Sequence, residues 1–326
     1  MQAVVLASYG GPEVLTLREV PDPVPGPEEV LVAVTGTAVN RADVLQRMGL
    51  YPGPPGEHEI PGLEFAGRVA GVGARVTTWN EGDEVMGIVG GGAYAERLCV
   101  HERQVLRVPP ELGLADAAAV PEVFLTAYDA LVVQGALASG RTALVHAGAS
   151  GVGTAAIQLA RAIGARIVVT TSTAKVEACE ALGADLVVDY TRDDFVEAVD
   201  GFTGGEGVDV VLDVIGGDYV DRNLRCTRPT GRIIQVGLMG AGVAQVSVGL
   251  LLSKRIQLIG TVLRARPIEE KIAATQRFRA EVLPRFVDGS LRAVVDSRYR
   301  LAEVAEAHRR MEANANTGKL VLEVAP

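Results

Sequence analysis

Strands and helices alternate along the middle of the chain. Apolar runs rich in Val and Ile lie at residues 143–146, 167–170, 186–189, 208–213, 232–236 and 256–260. Residues 152–161, 175–182 and 195–202, which lie between these runs, have the apolar spacing of helices. Apolar strands that alternate with helices predict a parallel sheet covered on both faces. The predicted fold class is therefore α/β, with a doubly wound parallel sheet of the Rossmann type.

A turn of small residues joins the first strand to the first helix. Its spacing is Gly148-x-Ser150-x-x-Gly153, with serine where the dinucleotide-binding fingerprint has its middle glycine. Small residues let a backbone approach a pyrophosphate, and the N–H groups at the start of the helix bind the anion. Such turns also occur without a ligand, so the motif alone leaves both interpretations open. The strands and helices that follow favour a dinucleotide site.

The segment after the second strand decides between NAD and NADP. An acidic residue there would bind the ribose 2′-hydroxyl of NAD, but residues 170–175 contain none, and the first carboxylate is Glu177. Hydroxyl groups and the Lys175 ammonium suit a phosphate dianion. A lysine at the start of a helix is otherwise unfavourable, and the alternative is a solvated surface lysine. We therefore predict NADPH as the cofactor.

The N-terminal third has a different pattern. Short strands at residues 2–7, 29–37 and 67–72 are separated by clusters of Pro and Gly, which predicts a small β-barrel. A helix over residues 115–133 leads towards the parallel sheet. At the end of the chain we predict a strand at 297–300, a helix at 301–314 and a strand at 319–323. This tail is expected to complete the first domain.

Composition and charge narrow the function classes. The net charge of −9 opposes binding to nucleic acid and anionic membranes, and no apolar run approaches the roughly 18 residues of a membrane span. The N-terminus also lacks the basic region of a signal peptide, so we expect a cytoplasmic protein. Cys99, Cys179 and Cys226 lie far apart, which favours buried apolar roles over disulfides or a zinc site.

The order of several motifs resembles the medium-chain dehydrogenase/reductase superfamily. These motifs lie at residues 40–43, 46–51, 61–64, 146–153 and 318–322. Within the superfamily the chain resembles the zinc-free, zeta-crystallin-like quinone oxidoreductases. It is most similar to the tumour-suppressor-inducible NADPH quinone oxidoreductase type, through residues 38–43, 237–240 and 311–314. The resemblance covers essentially the whole chain.

This resemblance implies two domains with the active site in the cleft between them. Residues 1–120 would form a GroES-like catalytic domain and residues 121–265 the Rossmann NADPH-binding domain. Residues 266–326 would return to the catalytic domain.

The zinc-dependent branch of the superfamily does not match this sequence. The cysteine and histidine that would hold a catalytic zinc are replaced by Asn40 and Leu63. Neither side chain can take the place of a thiolate or an imidazole at zinc, and the loop of four cysteines is absent as well. We predict no metal, and hence no Lewis acid for alcohol oxidation.

A metal-free site with NADPH can reduce an acceptor that is already electrophilic, such as a quinone or an activated enone. The resemblance places Asn40 and Tyr51 near the nicotinamide as the candidate catalytic residues. The Asn40 amide could donate to a quinone oxygen, or hold the ribose or carboxamide of the cofactor. Tyr51 could bind the acceptor carbonyl or donate a proton. Local sequence alone also allows a turn residue and a packing aromatic at these positions.

The resemblance also implies a set of cofactor contacts. They are Asn40, Thr126, Gly148, Ser150, Gly151, Val152, Ser172, Lys175, Tyr190, Gly237, Leu238, Met239, Leu263, Arg264 and Asn316. Alternatives remain a turn for Asn316, core packing for Leu263 and solvation for Arg264. No histidine is given a role: His146 is predicted in the core, and His101 and His308 at the surface.

Three functions are compatible with the sequence. The leading one is an NADPH-dependent quinone oxidoreductase. The second is an NADPH-dependent reductase of enones or enoyl thioesters, which shares the zinc-free scaffold. The third is a non-catalytic NADPH-binding protein. Apolar residues at 246–252 and a predicted edge strand at 256–259 predict a homodimer.

Overall fold

The structure is a computed structural model that describes residues 1–54, 56 and 58–324. The chain divides into two compact units. The first unit comprises Met1–Leu125 and Arg264–Pro326, and the second comprises Thr126–Leu263.

The strands have the following bounds in chain order. They are β1 Gln2–Leu6, β2 Leu15–Glu19, β3 Glu29–Val39, β4 Glu64–Val72, β5 Glu84–Ile88, β6 Arg97–His101, β7 Val105–Arg107, β8 Thr142–Val145, β9 Arg166–Thr171, β10 Leu186–Asp189, β11 Val208–Asp213, β12 Thr227–Gln235, β13 Gln257–Gly260, β14 Val295–Arg300 and β15 Lys319–Glu323.

The α-helices of the described part of the chain have 4 to 14 residues. They are α1 Arg41–Arg47, α2 Leu114–Ala117, α3 Pro121–Tyr128, α4 Gly151–Ala162, α5 Val176–Leu182, α6 Phe195–Thr203, α7 Tyr219–Cys226, α8 Val248–Lys254, α9 Ile268–Glu281, α10 Pro284–Val287 and α11 Val304–Glu312. Within the described part of the chain, no helix is both long enough and apolar enough to cross a bilayer.

A six-stranded parallel sheet forms the second unit. Its strand order is β10-β9-β8-β11-β12-β13, so the chain reverses direction across the sheet between β8 and β11. Buried Leu144, Val168, Val211 and Ile233 pack with Phe195 on one side of the sheet. The predicted doubly wound parallel sheet is confirmed, and its six strands lie within a few residues of the predicted runs.

The first unit contains a seven-stranded sheet built from both ends of the chain. Along it the order is β14-β15-β3-β4-β5-β7, with β6 also paired to β3. The last strand, β15, lies antiparallel to β3, with Leu322 opposite Thr37. Its core contains Phe65, Tyr94 and Leu320, each completely buried. This pairing brings the start of β15 beside the end of β3, where α1 begins.

The single helix predicted over residues 115–133 is wrong. The segment forms α2, then α3, and then a π-helix at Asp129–Gln134. Pro121 lacks the N–H group that a continuous helix would need, so a new helix begins there. The apolar periodicity on which the prediction rested continues through the break and does not reveal it.

Candidate active site and cofactor site

The small-residue turn after β8 leaves two backbone donors open. Ser150 is the N-cap of α4, and its Oγ accepts a hydrogen bond from the Gly153 N–H at 3.0 Å. Among the described residues, no partner is found for the N–H groups of Gly151 and Val152. Both residues keep part of their surface. Free donors at the start of a twelve-residue helix provide the anion site that a pyrophosphate requires.

The two glycines of the turn are required by close packing. A Cβ at Gly153 would lie 2.4 Å from the carbonyl oxygens of Ala147 and Gly148. A Cβ at Gly148 would lie 2.6 Å from the Cβ of Val169 on β9. Serine at the middle position is compatible with the turn because its side chain caps the helix. The turn therefore has the tight geometry of a dinucleotide site without the middle glycine.

The segment after β9 contains the residues predicted to bind a 2′-phosphate. Ser172 and Lys175 lie at the start and the end of a 3₁₀ turn and are partly exposed, while Tyr190 follows β10 and is half exposed. Asp189 is the last residue of β10 and lies between Lys175 and Tyr190 in the sequence. Its carboxylate accepts hydrogen bonds from the Thr173 hydroxyl at 2.5 Å and from Thr191, and these bonds lower its pKa. The Asp189 carboxylate is therefore already hydrogen-bonded to residues of the neighbouring turns.

Other predicted cofactor residues of the second unit lie at the same edge of the sheet or on α3. Gly237, Leu238 and Met239 follow β12, and the Met239 N–H donates to the carbonyl of Val214, just past the end of β11. The side chains of Leu238 and Met239 are half exposed. Leu263 follows β13 and is partly exposed. Thr126 lies on α3 and is 9% exposed.

Asn40 of the first unit lies in a buried polar network. It is the N-cap of α1, and its side-chain nitrogen donates to the Glu64 carboxylate at 2.9 Å and to the Ala38 carbonyl at 3.2 Å. Its side-chain oxygen accepts a hydrogen bond from Lys319 Nζ at 2.6 Å. Both amide hydrogens are therefore already used, so a bond to an acceptor or cofactor requires exchange of one of these partners.

Lys319 has a complete set of oxygen partners inside the protein. Its Nζ donates to the Val39 carbonyl at 2.9 Å, to Asn40 Oδ1 and to Glu64 Oε1 at 2.8 Å. Lys319 is 3% exposed and Glu64 is fully buried. A zinc ion does not fit beside this group, because an ammonium already binds these oxygens and the neighbouring Leu63 is apolar.

Tyr51 and Arg264 form the other half of the site in the first unit. The Arg264 guanidinium lies 4.8 Å from the centre of the Tyr51 ring and donates to the Tyr51 carbonyl at 3.2 Å. It also donates to the Gly90 carbonyl at 2.6 Å and to Gln46 Oε1 at 2.7 Å. Burial raises the pKa of Tyr51, although the positive charge of Arg264 opposes the shift. Tyr51 is therefore an O–H donor across the neutral range, and Arg264 ties its loop to α1.

The sequence did not reveal Asp43, Glu64 and Lys319, which bind Asn40, or Glu122, whose N–H binds Glu64. The available signal was that Glu64 and Lys319 each begin an apolar strand, where a charge has to be paired if it is buried. Burial raises the pKa of Asp43 to about 6. Asn316, the last predicted contact, is buried just before β15 and donates to the Gly318 carbonyl at 2.7 Å.

Of the predicted histidine positions, that of His146 is confirmed and that of His308 is wrong. His146 is buried as expected, between Thr170 Oγ1 at 3.0 Å and Asn223 Oδ1 at 2.8 Å. The surface position predicted for His308 is wrong, because it is completely buried with Nε2 3.2 Å from the Tyr94 hydroxyl. Its helix α11 packs on the sheet of the first unit, and burial lowers its pKa to about 3.

Two family models match the chain. The alcohol dehydrogenase GroES-like domain matches residues 26–110, and the zinc-binding dehydrogenase domain matches residues 151–279. A quinone oxidoreductase of Pseudomonas aeruginosa is 34% identical over 98% of this chain and 98% of its own length.

Solved structures with the same fold include two kinds of reductase. Quinone oxidoreductase of Escherichia coli complexed with NADPH superposes with a TM-score of 0.89 at 29% identity, over 99% of this chain and 100% of that chain. JamJ enoyl reductase superposes with a TM-score of 0.90 at 27% identity, over 99% of each chain.

Proposed function

The chain belongs to the zeta-crystallin-like quinone oxidoreductases of the medium-chain dehydrogenase/reductase superfamily, and we propose that it reduces quinones with NADPH. The observation that supports this best is the chemistry around Asn40. The oxygens there bind the Lys319 ammonium, and the first unit also offers the Tyr51 hydroxyl as a hydrogen-bond donor. An acceptor without a Lewis acid has to be electrophilic already, as quinones are.

The second unit would hold NADPH through groups at the carboxyl edge of its sheet. The free N–H groups of Gly151 and Val152 would bind the pyrophosphate, and Ser172 and Lys175 would bind the 2′-phosphate. When bound, NADPH supplies a hydride. The hydroxyl groups of Thr173 and Thr191 already bind the Asp189 carboxylate, so this charge is compatible with a phosphate bound by Ser172 and Lys175.

The first unit would orient and polarise the acceptor. Tyr51, kept protonated by burial, would donate a hydrogen bond to a quinone oxygen as negative charge develops on it. Arg264 would fix the Tyr51 loop through its three hydrogen bonds, which reach both that loop and Gln46 of α1. Asn40 would hold Lys319 and Glu64 in place, and would reach a ligand only by exchanging a bond.

A panel of acceptors tests the proposal. Purified protein is assayed for NADPH oxidation with 9,10-phenanthrenequinone, 1,4-naphthoquinone, an alkenal and an enoyl-CoA ester. Turnover with the quinones, lowered in Tyr51→Phe, is the expected result. Turnover with the enoyl-CoA ester alone would instead establish the second candidate, which the similarity to JamJ enoyl reductase favours.

We also propose a homodimer formed through the second unit. Strand β13 ends the six-stranded sheet, and among the described residues no strand pairs with its outer edge. Leu252 of α8 is 77% exposed and Leu258 of β13 is 43% exposed. Unpaired edges and exposed apolar side chains are typical of a surface that pairs with a second copy. Sedimentation of the wild type and Leu258→Lys tests this, because the variant should be a monomer.

A further inference from the structure

Three carboxyl groups and one ammonium lie together in the first unit. Glu64 accepts hydrogen bonds from Lys319 Nζ at 2.8 Å and from the backbone N–H of Glu122 at 2.9 Å. Asp43 lies on α1, accepts a hydrogen bond from the Asn40 N–H and, like Glu64, is fully buried. Ionisation of all three acids would give this buried cluster a net charge of −2. Because such charges are costly, at least one of these carboxyls retains a proton.

Hydrogen bonds identify the two acids that are held as carboxylates. Glu64 accepts three bonds, from Lys319, from the Asn40 side chain and from the Glu122 N–H. Asp43 also accepts three, from the Asn40 N–H at 2.8 Å, the Gly62 N–H at 3.2 Å and the Tyr94 hydroxyl at 3.1 Å. Donors that point at a carboxyl group favour its charged form. The remaining proton therefore belongs on Glu122.

The Glu122 carboxyl is the exception in this cluster. Among the described residues it has no hydrogen-bond donor, and the residue keeps part of its surface. Burial and the nearby charge of Glu64 raise its pKa to about 8, while Lys319 and Arg264 oppose the shift. At neutral pH, Glu122 is therefore a protonated acid without an internal partner.

Glu122 also lies close to the proposed acceptor site. Its backbone N–H binds Glu64, which also accepts a hydrogen bond from Asn40 at the start of α1, and Arg264 binds both α1 and the Tyr51 carbonyl. The charges of Glu122 and Arg264 both act on the pKa of Tyr51. Arg264 itself lies 4.8 Å from the Tyr51 ring. A quinone oxygen bonded to the Tyr51 hydroxyl would thus lie in the neighbourhood of the one carboxyl that has a proton to give.

We propose that Glu122 is a catalytic acid that protonates the reduced quinone, an inference that rests on the proposed function. The hydride of NADPH, which carries both electrons, converts the quinone to a hydroquinone anion, and NADPH becomes NADP⁺. The Glu122 O–H bond breaks and a phenol O–H bond forms, leaving a Glu122 carboxylate that regains its proton from water. Transfer is downhill, because a phenol has a pKa of about 10.

Turnover of 1,4-naphthoquinone as a function of pH tests the role of Glu122. Wild-type kcat should fall as the pH rises through about 8, because Glu122 loses its proton there. Glu122→Gln should lower kcat about a hundredfold at pH 7, remove this fall and leave the KM for NADPH unchanged. Glu122→Asp keeps a carboxyl and should restore the pH dependence. Glu111→Gln, an exposed change of the same charge, should behave as the wild type.

Infrared difference spectra between pH 7, where Asp43 is already ionised, and pH 10 provide a second readout without NADPH or quinone. The band of a protonated carboxyl should disappear on titration in the wild type and Glu111→Gln, and be absent from Glu122→Gln. If the wild type reduces naphthoquinone while Glu122→Gln keeps its rate and pH profile, the role of Glu122 is overturned and the proposed function stands. If the band titrates but no quinone is reduced, the proposed function fails instead.

Discussion

Lys319→Met tests the buried ion pair on which the site is built. The substitution keeps most of the side-chain volume and removes the ammonium that donates to Glu64, Asn40 and Val39. Glu64 then has to remain ionised without its counter-ion or take up a proton. Either outcome destabilises the first unit, because Glu64 has no exposed surface.

The magnitude follows from the cheaper of these two outcomes. A glutamate in an unfolded chain has a pKa of about 4.3, so protonating it at pH 7 costs about 3.7 kcal/mol, at about 1.36 kcal/mol per pH unit. This agrees with the roughly 3–5 kcal/mol for removing one partner of a buried pair. At pH 5 the protonation cost falls to about 1 kcal/mol. The destabilisation by Lys319→Met should therefore be about 2.7 kcal/mol smaller at pH 5 than at pH 7.

A single tryptophan makes the assay specific for the first unit. Trp79 is the one tryptophan of the chain and is 7% exposed in the core of that unit. Its indole N–H donates to the Glu102 carbonyl at 2.9 Å, so unfolding changes both its packing and its polarity. Urea titrations followed by its fluorescence give the free energy of unfolding for wild type and variant at each pH.

Two further variants decide whether the ion pair causes the effect. Adding Glu64→Gln to Lys319→Met removes the stranded acid and should abolish the pH dependence. Lys271→Met, which removes a half-buried lysine of the same unit, should change stability by no more than about 0.5 kcal/mol. A loss of stability below about 1 kcal/mol in Lys319→Met at pH 7, equal at pH 5, would show that the ion pair does not stabilise the first unit.

Three other predictions concern single side chains. Glu122→Gln should become more stable relative to the wild type as the pH rises from about 4.5 to about 8. Over that interval the native acid keeps a proton that the unfolded chain has lost; Trp79-monitored urea midpoints at pH 5 and pH 8 check this, and an equal shift at both would count against it. Lys175→Ala should raise the KM for NADPH at least about tenfold, since a hydrogen bond to a charged group contributes about 1.5–3 kcal/mol. Its KM for NADH should barely change, and a parallel rise for both cofactors would argue against a phosphate contact. Ser150→Ala should destabilise the second unit by about 1 kcal/mol by removing the cap on Gly153, measured by thermal melting of its circular dichroism; an unchanged melting temperature would exclude the cap.

Much of the second unit follows from local sequence. Strands β8 to β13 each contain a short apolar run, and the turn between β8 and α4 contains its own glycine and capping signals. These features depend on residues close together in the chain. The break before α3 is a local feature too, but the apolar spacing on either side of Pro121 concealed it.

The charged cluster of the first unit could not be predicted in the same way. Lys319 and Asn40 are 279 positions apart and meet only because β15 pairs with β3. From sequence alone, a lysine before an apolar strand is interpreted as an exposed residue at the strand end. It is not expected to be the buried partner of a carboxylate. Asn40 itself was found through the family resemblance, but its hydrogen-bond partners depend on the register between distant strands.

Direct reduction of a quinone by NADPH on this protein is tested most directly by an anaerobic single turnover. The protein is mixed with 1,4-naphthoquinone and with NADPH deuterated at the transferred position. We expect one hydroquinone formed per NADPH oxidised, with a rate slowed by the deuterium. Oxidation of NADPH without hydroquinone, or reduction of an enoyl thioester but not of the quinone, would contradict it.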